Sequence, residues 1–121
     1  MVILRVLLMA LPEKRKELDQ AVSFMMSRIR QETACGQIHA YHDMEDENRI
    51  LVCSQWENRE NLAAFLRSER FSALLGTKIL LSNSPVAFVD TVAKSEGMEA
   101  VAALRSRSKE AQNRTSTPAS S

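Results

Sequence analysis

An apolar stripe between residues 18 and 29, which follows an apolar run closed by a proline, constrains this fold more than any other feature. Apolar side chains recur there at the helical positions i, i+3, i+4, i+7, i+8 and i+11: Leu18, Ala21, Val22, Met25, Met26 and Ile29. Charged residues lie mainly off this stripe, so the segment predicts an amphipathic helix from Glu13 to about Glu32. Pro12 suits the first turn of that helix, because its missing N–H removes no hydrogen bond there.

Four segments have the composition of β-strands. Residues 2–11 are dense in Val, Ile and Leu and predict a largely buried first strand. The second, residues 37–43 after Gly36, alternates: Gln37, His39 and Tyr41 point to one face, and Ile38, Ala40 and His42 point to the other. A polar turn follows it, and Arg49–Trp56 is predicted as the third strand, so that the two strands form a hairpin. Val86–Val92 is predicted as the fourth strand.

Two short helices are predicted between the third and fourth strands. Asn58 and Ser68 are of the types that cap helix N-termini, and Gly76 is of the type that closes a C-terminus. The resulting order, βαββαβ, predicts an α+β, ferredoxin-like domain: one four-stranded antiparallel sheet with helices on one face. We expect this domain to span residues 1–93. After it we expect a short C-terminal helix over residues 94–105 and a disordered tail over residues 106–121, which is rich in Ser, Thr, Arg and Lys.

Composition excludes several classes of function. The chain has 121 residues with 16 Lys and Arg against 15 Asp and Glu, and this balance offers no basic surface for nucleic acid. Its longest apolar stretch, interrupted by Arg5, is too short for a membrane-spanning helix, which needs about 20 residues. The N-terminus lacks the pattern of a secretory signal, so we expect a cytoplasmic protein.

Cys35 and Cys53 are expected to be reduced, buried thiols. His39 and His42, on opposite faces of one strand, are not expected to share a metal ion.

The predicted sheet needs burial on both of its faces. The helices cover one face, yet the strands carry apolar residues on both sides. A second subunit that lays its sheet on this one would bury the other face. We therefore expect a homodimer.

Several local motifs follow one another in a recognisable order. They are Glu32-x-x-Cys35, Tyr41-His42-Asp43, Leu51-Val52-x-x-x-Trp56-Glu57-Asn58 and Leu62-x-x-Phe65-Leu66-Arg67-Ser68-x-x-Phe71. Over residues 2–92 the sequence thus resembles the antibiotic biosynthesis monooxygenase family of the dimeric α+β barrel superfamily. The resemblance implies a dimer with facing sheets. It also implies a pocket in each subunit, often used to oxygenate quinols or aromatic polyketides with O₂, with neither flavin nor metal.

The sequence departs from the family pattern at two positions. Phe65 stands where the family often carries a histidine on the second helix, and Ala34-Cys35 replaces the usual Gly-Cys before the second strand. Relatives that degrade heme use a Trp on the second helix, a ligand histidine about ten residues later, and an Asn on the first strand. The corresponding helix positions here hold Phe65 and Leu75, and residues 2–11 contain no Asn. Heme degradation is therefore not expected.

Oxygenation without a cofactor needs a base of near-neutral pKa, a group that stabilises the substrate anion, and an apolar cavity. His39 and His42 are the only side chains that titrate unperturbed in this range, and either is a candidate catalytic base. The alternative is that both are solvated on an edge strand. Tyr41, which lies beside them and on the same strand face as His39, is a candidate substrate-binding residue.

Arg5 is a charge within the apolar first strand, where an unpaired guanidinium would be costly to bury. Three interpretations stay open for it. Arg5 forms an ion pair with Asp90 on the last strand, or it binds an anionic oxygen of the substrate, or it is hydrogen-bonded to Gln55 and serves neither role.

The aromatic residues Trp56, Phe65, Phe71 and Phe24 are typical of a core. The first three are also candidate substrate-binding residues, because the family's cavity lies between sheet and helices, where Trp56 and Phe65 would fall. Two functions stay open: a dimeric, cofactor-independent monooxygenase for a quinol or similar small aromatic, and a non-catalytic dimeric module for ligand binding or assembly. A histidine within hydrogen-bonding reach of a closed cavity favours the enzyme, and two solvated histidines favour the module.

Overall fold

The computed structural model describes residues 1–31 and 34–114. It contains four strands and four α-helices in the described residues. In chain order they are β1 (Val2–Met9), α1 (Arg15–Ile29), β2 (Cys35–His42), β3 (Arg49–Trp56), α2 (Arg59–Leu66), α3 (Glu69–Leu75), β4 (Val86–Thr91) and α4 (Met98–Arg114). Short 3₁₀ turns precede α1 at Pro12–Lys14 and follow α3 at Gly76–Leu80.

The strands form one antiparallel sheet in the order β2-β3-β1-β4. This order, with α1 to α3 on one face, confirms the predicted ferredoxin-like α+β architecture. Strand β1 supplies the centre of the core because it lies between β3 and β4 in the sheet. Its side chains alternate between the two faces. Its helix-facing residues, Val2, Leu4, Val6 and Leu8, are at most 4% exposed, and the buried stripe of α1 packs against them. The odd-numbered residues of β1 point to the opposite face and stay half-buried.

The predicted helix boundaries are confirmed at the N-termini of α2 and α3. The side chain of Asn58 accepts a hydrogen bond from the backbone N–H of Asn61 at 2.8 Å, and Ser68 caps α3 in the same way. The predicted end of the chain's first helix at Glu32 lies outside the described residues, and α1 ends at Ile29. The predicted end of α3 at Gly76 is confirmed, because this helix ends at Leu75 and Gly76 is its C-cap. Gly76 has a right-handed φ of −64°, and a 3₁₀ segment follows it.

The C-terminal helix α4 is longer than the sequence suggested. It begins at Met98 and continues to Arg114, whereas the prediction ended it at residue 105 and made residue 106 the start of a disordered tail. Residues 106–114 are mostly good helix formers such as Arg, Lys, Glu, Ala and Gln, and the next proline is Pro118, so nothing in this stretch breaks the helix. Residues 115–121, the rest of the predicted tail, lie outside the described residues.

A membrane-spanning helix would have to be both long and continuously apolar. No helix within residues 1–31 and 34–114 meets that requirement.

Candidate functional site

The sheet has one face without helices, which we call the open face. It is formed by alternate residues of all four strands: Gln37, His39 and Tyr41 of β2, Leu51, Cys53 and Gln55 of β3, Ile3, Arg5 and Leu7 of β1, and Val86, Phe88 and Asp90 of β4. Many of these side chains are apolar and half-buried or exposed. An apolar sheet face of this kind is the normal docking surface for a second layer.

The strand register places the candidate base and the candidate cation in a single row across the open face. His39 pairs with Cys53, Cys53 pairs with Arg5, and Arg5 pairs with Phe88. Neighbouring strands lie about 4.8 Å apart, so the backbones at His39 and Arg5 are about 10 Å apart. The guanidinium of Arg5 extends toward Phe88 and Asp90 of β4, on the side away from His39.

Flanking rows give this site an apolar and a polar side. On one side, Tyr41 pairs with Leu51 and Leu51 with Leu7, and the rings of His39 and Tyr41 have their centres 6.3 Å apart. On the other side, Gln55 pairs with Gln37 of β2 and Ile3 of β1, and Ile3 pairs with Asp90 of β4. Apolar side chains of Tyr41, Leu51 and Leu7 therefore lie beside the row that contains His39 and Arg5.

Arg5 forms an ion pair with Asp90, the first of the three interpretations that its position in the sequence allows. Its Nε donates to Asp90 Oδ2 at 2.6 Å and its Nη2 to Oδ1 at 3.3 Å, while the guanidinium lies 4.7 Å above the centre of the Phe88 ring. The hydrogen bond to Asp90 raises the pKa of Arg5, and the same bond from Arg5 lowers the pKa of Asp90. This ion-paired guanidinium lies on the open face of the sheet.

The lowered pKa of Asp90 predicts a dependence of stability on acid. A carboxyl whose pKa is lower in the folded than in the unfolded chain stabilises the fold at pH values above its pKa in the unfolded chain. This stabilisation is lost as the pH falls through the pKa that the carboxyl has in the folded state. Asp90→Asn should therefore lower the melting temperature at neutral pH, and the difference from the parent protein should vanish in acid. The effect should be small, since the Arg5 and Asp90 side chains are 41% and 42% exposed.

Thermal melts between neutral pH and the acid limit of folding check this prediction. Glu45→Gln, which removes the same charge from an exposed position in the turn after β2, is the matched control. A difference between Asp90→Asn and the parent that persists unchanged into acid would contradict the assigned role of the ion pair.

His42 lies on the helix side of β2 and is held there by two other elements. Its Nδ1 lies 2.9 Å from the carbonyl oxygen of Glu47 in the β2–β3 turn, and its Nε2 lies 3.1 Å from Oδ1 of Asp19 on α1. That carboxylate oxygen is buried and accepts no hydrogen bond of good geometry from the described residues, so the imidazole is a favourable neighbour for it. Both ring nitrogens of His42 face acceptor oxygens, whereas His39 points to the open face.

The aromatic residues divide between the core and the surface. Trp56 and Phe65 are buried and stack with ring centres 4.7 Å apart, Phe71 packs edge-on against Phe65, and the indole N–H of Trp56 donates to Ser54 Oγ at 3.0 Å. This cluster fills the space between sheet and helices. The core prediction for Phe24 is wrong, because this side chain is 65% exposed on the outer side of α1.

The predicted site residues thus lie on both sides of the sheet. Arg5, His39 and Tyr41 come together on the open face, whereas His42 and the aromatic cluster lie on the helix side. A small groove of about 190 Å³, lined by Leu7, Tyr41 and Leu51 among others, connects the open face to the edge near His42.

Sequence reasoning missed Cys53 and Phe88 as members of the row. Their alternation within β3 and β4 was readable, but their place beside Arg5 depends on the pairing register. Both cysteines are free and half-buried, which is less burial than was expected.

Comparison with known proteins gives a family and a set of similar folds. The family model described as antibiotic biosynthesis monooxygenase matches residues 1–75. Among curated protein sequences, none matches this chain significantly.

Solved structures resemble the fold at low sequence identity. A Deinococcus radiodurans protein described as a candidate antibiotic biosynthesis monooxygenase is 20% identical, with a TM-score of 0.74 over 80% of this chain and 97% of its own. A Nitrosomonas europaea protein with the same description is 10% identical, with a TM-score of 0.72 over 78% of this chain and 100% of its own. At these identities the likeness establishes the fold.

Proposed function

This chain belongs to the antibiotic biosynthesis monooxygenase family, and from that premise we propose that it oxidises a quinol or similar small aromatic with O₂, without a flavin or a metal. The proposed site is the open face, closed by a second copy in a cytoplasmic homodimer. The observation that carries the proposal is the row of His39, Cys53 and Arg5, which places an imidazole and a guanidinium on the same face of three adjacent strands. The free thiols of Cys35 and Cys53 are compatible with a reducing compartment.

In this proposal His39 acts as the general base. It removes a proton from the phenol or quinol, and the resulting anion can then pass an electron to O₂. Arg5 stabilises the negative charge, because Asp90 and the Phe88 ring already hold its guanidinium in place and little reorganisation is needed. His42 is the weaker candidate, since both of its nitrogens face acceptors on the helix side.

The reaction balances without an added reductant. One oxygen atom of O₂ enters the substrate as a carbonyl, and the other leaves as water with two hydrogens from the substrate. The substrate supplies all of the electrons. The product therefore contains one more oxygen and two fewer hydrogens than the substrate.

The homodimer is part of this proposal because the site on a single chain is open to water. Electrostatic stabilisation of an anion is much weaker in water than in an enclosed, apolar site. Leu7, Leu51, Val86 and Phe88 form an apolar surface around the charged row, and a second sheet laid on them would exclude water from it. A non-catalytic binding dimer is the second candidate. It is favoured by the exposure of both His39 and His42 and by the burial of Trp56 and Phe65, which leaves no closed cavity beside them in the described residues.

Oxygen uptake by the metal-free protein separates the two candidates. The protein is mixed with a panel of quinols and hydroxylated aromatics, and oxygen consumption is followed against the rate of autoxidation. We expect uptake above background with at least one compound. We also expect a product that gains one oxygen, and that oxygen should carry the label when oxygen-18 gas is supplied. Saturable binding of a compound with no uptake above background would favour the binding module.

A further inference from the structure

A pocket between α1 and α3 lies on the helix side of the sheet and takes no part in the site on the open face. Its volume is about 550 Å³, and small-molecule sites usually have volumes of roughly 300–1,000 Å³. Residues of α1 form one wall, and residues of α3 with its N-cap form the other. The pocket is therefore a second candidate binding site, separate from the proposed site of oxygenation.

The α1 wall of this pocket combines an aromatic ring with a cation. Phe24 and Arg28 are four residues apart and lie on one face of the helix, and the guanidinium carbon of Arg28 is 5.9 Å from the centre of the Phe24 ring. The Phe24 side chain is 65% exposed, so its ring is accessible to a molecule that enters the pocket. Met25 is buried in the core and also lines the pocket, where its flexible side chain provides an adaptable apolar surface.

The charges that line the pocket favour an anion. Two guanidinium groups, those of Arg28 and Arg70, line it together with one carboxylate, that of Glu69. Arg28 is exposed and forms no ion pair with the residues that the structure describes, so its guanidinium can accept an incoming anion as a partner. The planar guanidinium group matches a carboxylate especially well, because the two can form a pair of parallel hydrogen bonds.

We propose that the pocket between α1 and α3 binds a small aromatic carboxylate. The ring of this ligand packs on Phe24 and Met25, and its carboxylate pairs with Arg28. Both parts of the ligand are needed, since a neutral aromatic molecule lacks the ion pair and a small aliphatic anion lacks the ring contact. The proposal does not depend on the proposed oxygenation, because the sheet separates this pocket from the open face.

Calorimetric titration with 2-naphthoate tests the proposal. Two further ligands are titrated for comparison: 2-naphthamide, which keeps the rings but is uncharged, and acetate, which keeps the carboxylate without a ring. We expect one molecule of 2-naphthoate to bind saturably to each chain. Each comparison ligand should bind about tenfold more weakly or less, as expected when a charge-assisted hydrogen bond or the ring contact is lost.

Substitutions in the pocket should change the affinity for 2-naphthoate in opposite directions. Arg28→Gln should weaken binding about tenfold or more, and Phe24→Ala about two- to tenfold. Glu69→Gln should strengthen binding, because it removes the one negative charge among the lining residues that the structure describes. Arg49→Gln is the matched control. It removes the same charge as Arg28→Gln from an exposed position on the open side of the sheet, and it should bind like the parent protein.

Three results would overturn the proposal. Absence of saturable binding excludes aromatic carboxylates as the ligand of this chain, and equal affinity for 2-naphthoate and 2-naphthamide excludes recognition of the anion. Binding that is lost in Arg5→Gln but kept in Arg28→Gln would place the ligand on the open face instead. None of these results bears on oxygen uptake with quinols, so the proposed function is tested separately.

Discussion

Replacing His39 with alanine is expected to lower the rate of oxygen consumption with a reduced naphthoquinol by about 10²–10⁴-fold, the usual contribution of a general base. His39 is exposed on the open face, so its removal leaves no cavity in the core, and the dimer should stay intact. The rate is measured with an oxygen electrode at saturating quinol, and the mass of the protein by sedimentation. A rate that falls with an unchanged mass assigns the effect to the base rather than to folding.

Two variants on the same strand serve as controls for this experiment. Gln37→Ala alters the same face of β2 two residues away and should leave most of the activity. His42→Ala removes the contacts to Asp19 and Glu47 on the helix side and should lower the rate far less than His39→Ala does. Activity that survives in His39→Ala but is lost in His42→Ala would show that the base has been assigned to the wrong histidine. Full activity in both would exclude either imidazole as the base.

Replacing Trp56 with alanine should have the largest effect on stability, a loss of about 3–5 kcal/mol in the free energy of unfolding. Its side chain is 1% exposed, stacks on Phe65 and donates to Ser54, so the substitution leaves both a large cavity and a buried hydroxyl without its donor. Urea unfolding followed by circular dichroism measures the loss without relying on tryptophan fluorescence. Because the unfolding of a dimer depends on concentration, the variants are compared at equal protein concentration.

Phe24→Ala is the matched control, since it removes a large aromatic side chain from an exposed position on α1. Its cost should stay within about 0.5 kcal/mol, as for most surface substitutions. Equal losses in the two variants would contradict the assignment of Trp56 to the core. Should Trp56→Ala fail to fold, Trp56→Phe keeps most of the ring and gives a smaller, measurable loss of the same sign.

The elements that the sequence predicted well are those whose signals are local. The caps at Asn58 and Ser68 are formed by a side chain and a backbone N–H three residues later, so no knowledge of the rest of the chain is needed to find them. The two ends of β3, at Arg49 and Trp56, agree with the prediction for a similar reason. A polar turn precedes the strand and a helix cap follows it. Gly76 ends α3 as predicted, although it does so with a right-handed φ, because a glycine at a helix end permits a left-handed turn without requiring one.

The sequence predicted only part of the candidate site. Alternation along β2 correctly separated His39 from His42, since successive side chains of a strand point to opposite faces. The contact between His42 and Asp19 of α1 could not be predicted, because the two residues are far apart in sequence and meet only when the helix packs on the sheet. Phe24 shows the same limit. The segment is helical as predicted, but only the packed structure shows which flank of the stripe is left outside.

The sequence by itself determined the order of strands and helices, the two faces of each strand and the apolar stripe of α1, because periodicity and capping act over a few residues. Only the tertiary structure decided which residues became neighbours across the sheet. The row of His39, Cys53 and Arg5 exists because β3 pairs with both β2 and β1 in one register, and a shift by one residue would send each of these side chains to the other face. That register is set by the burial of helix-facing side chains such as Val6, Ile38 and Val52 in one core, a property of the packed structure that no short segment carries alone.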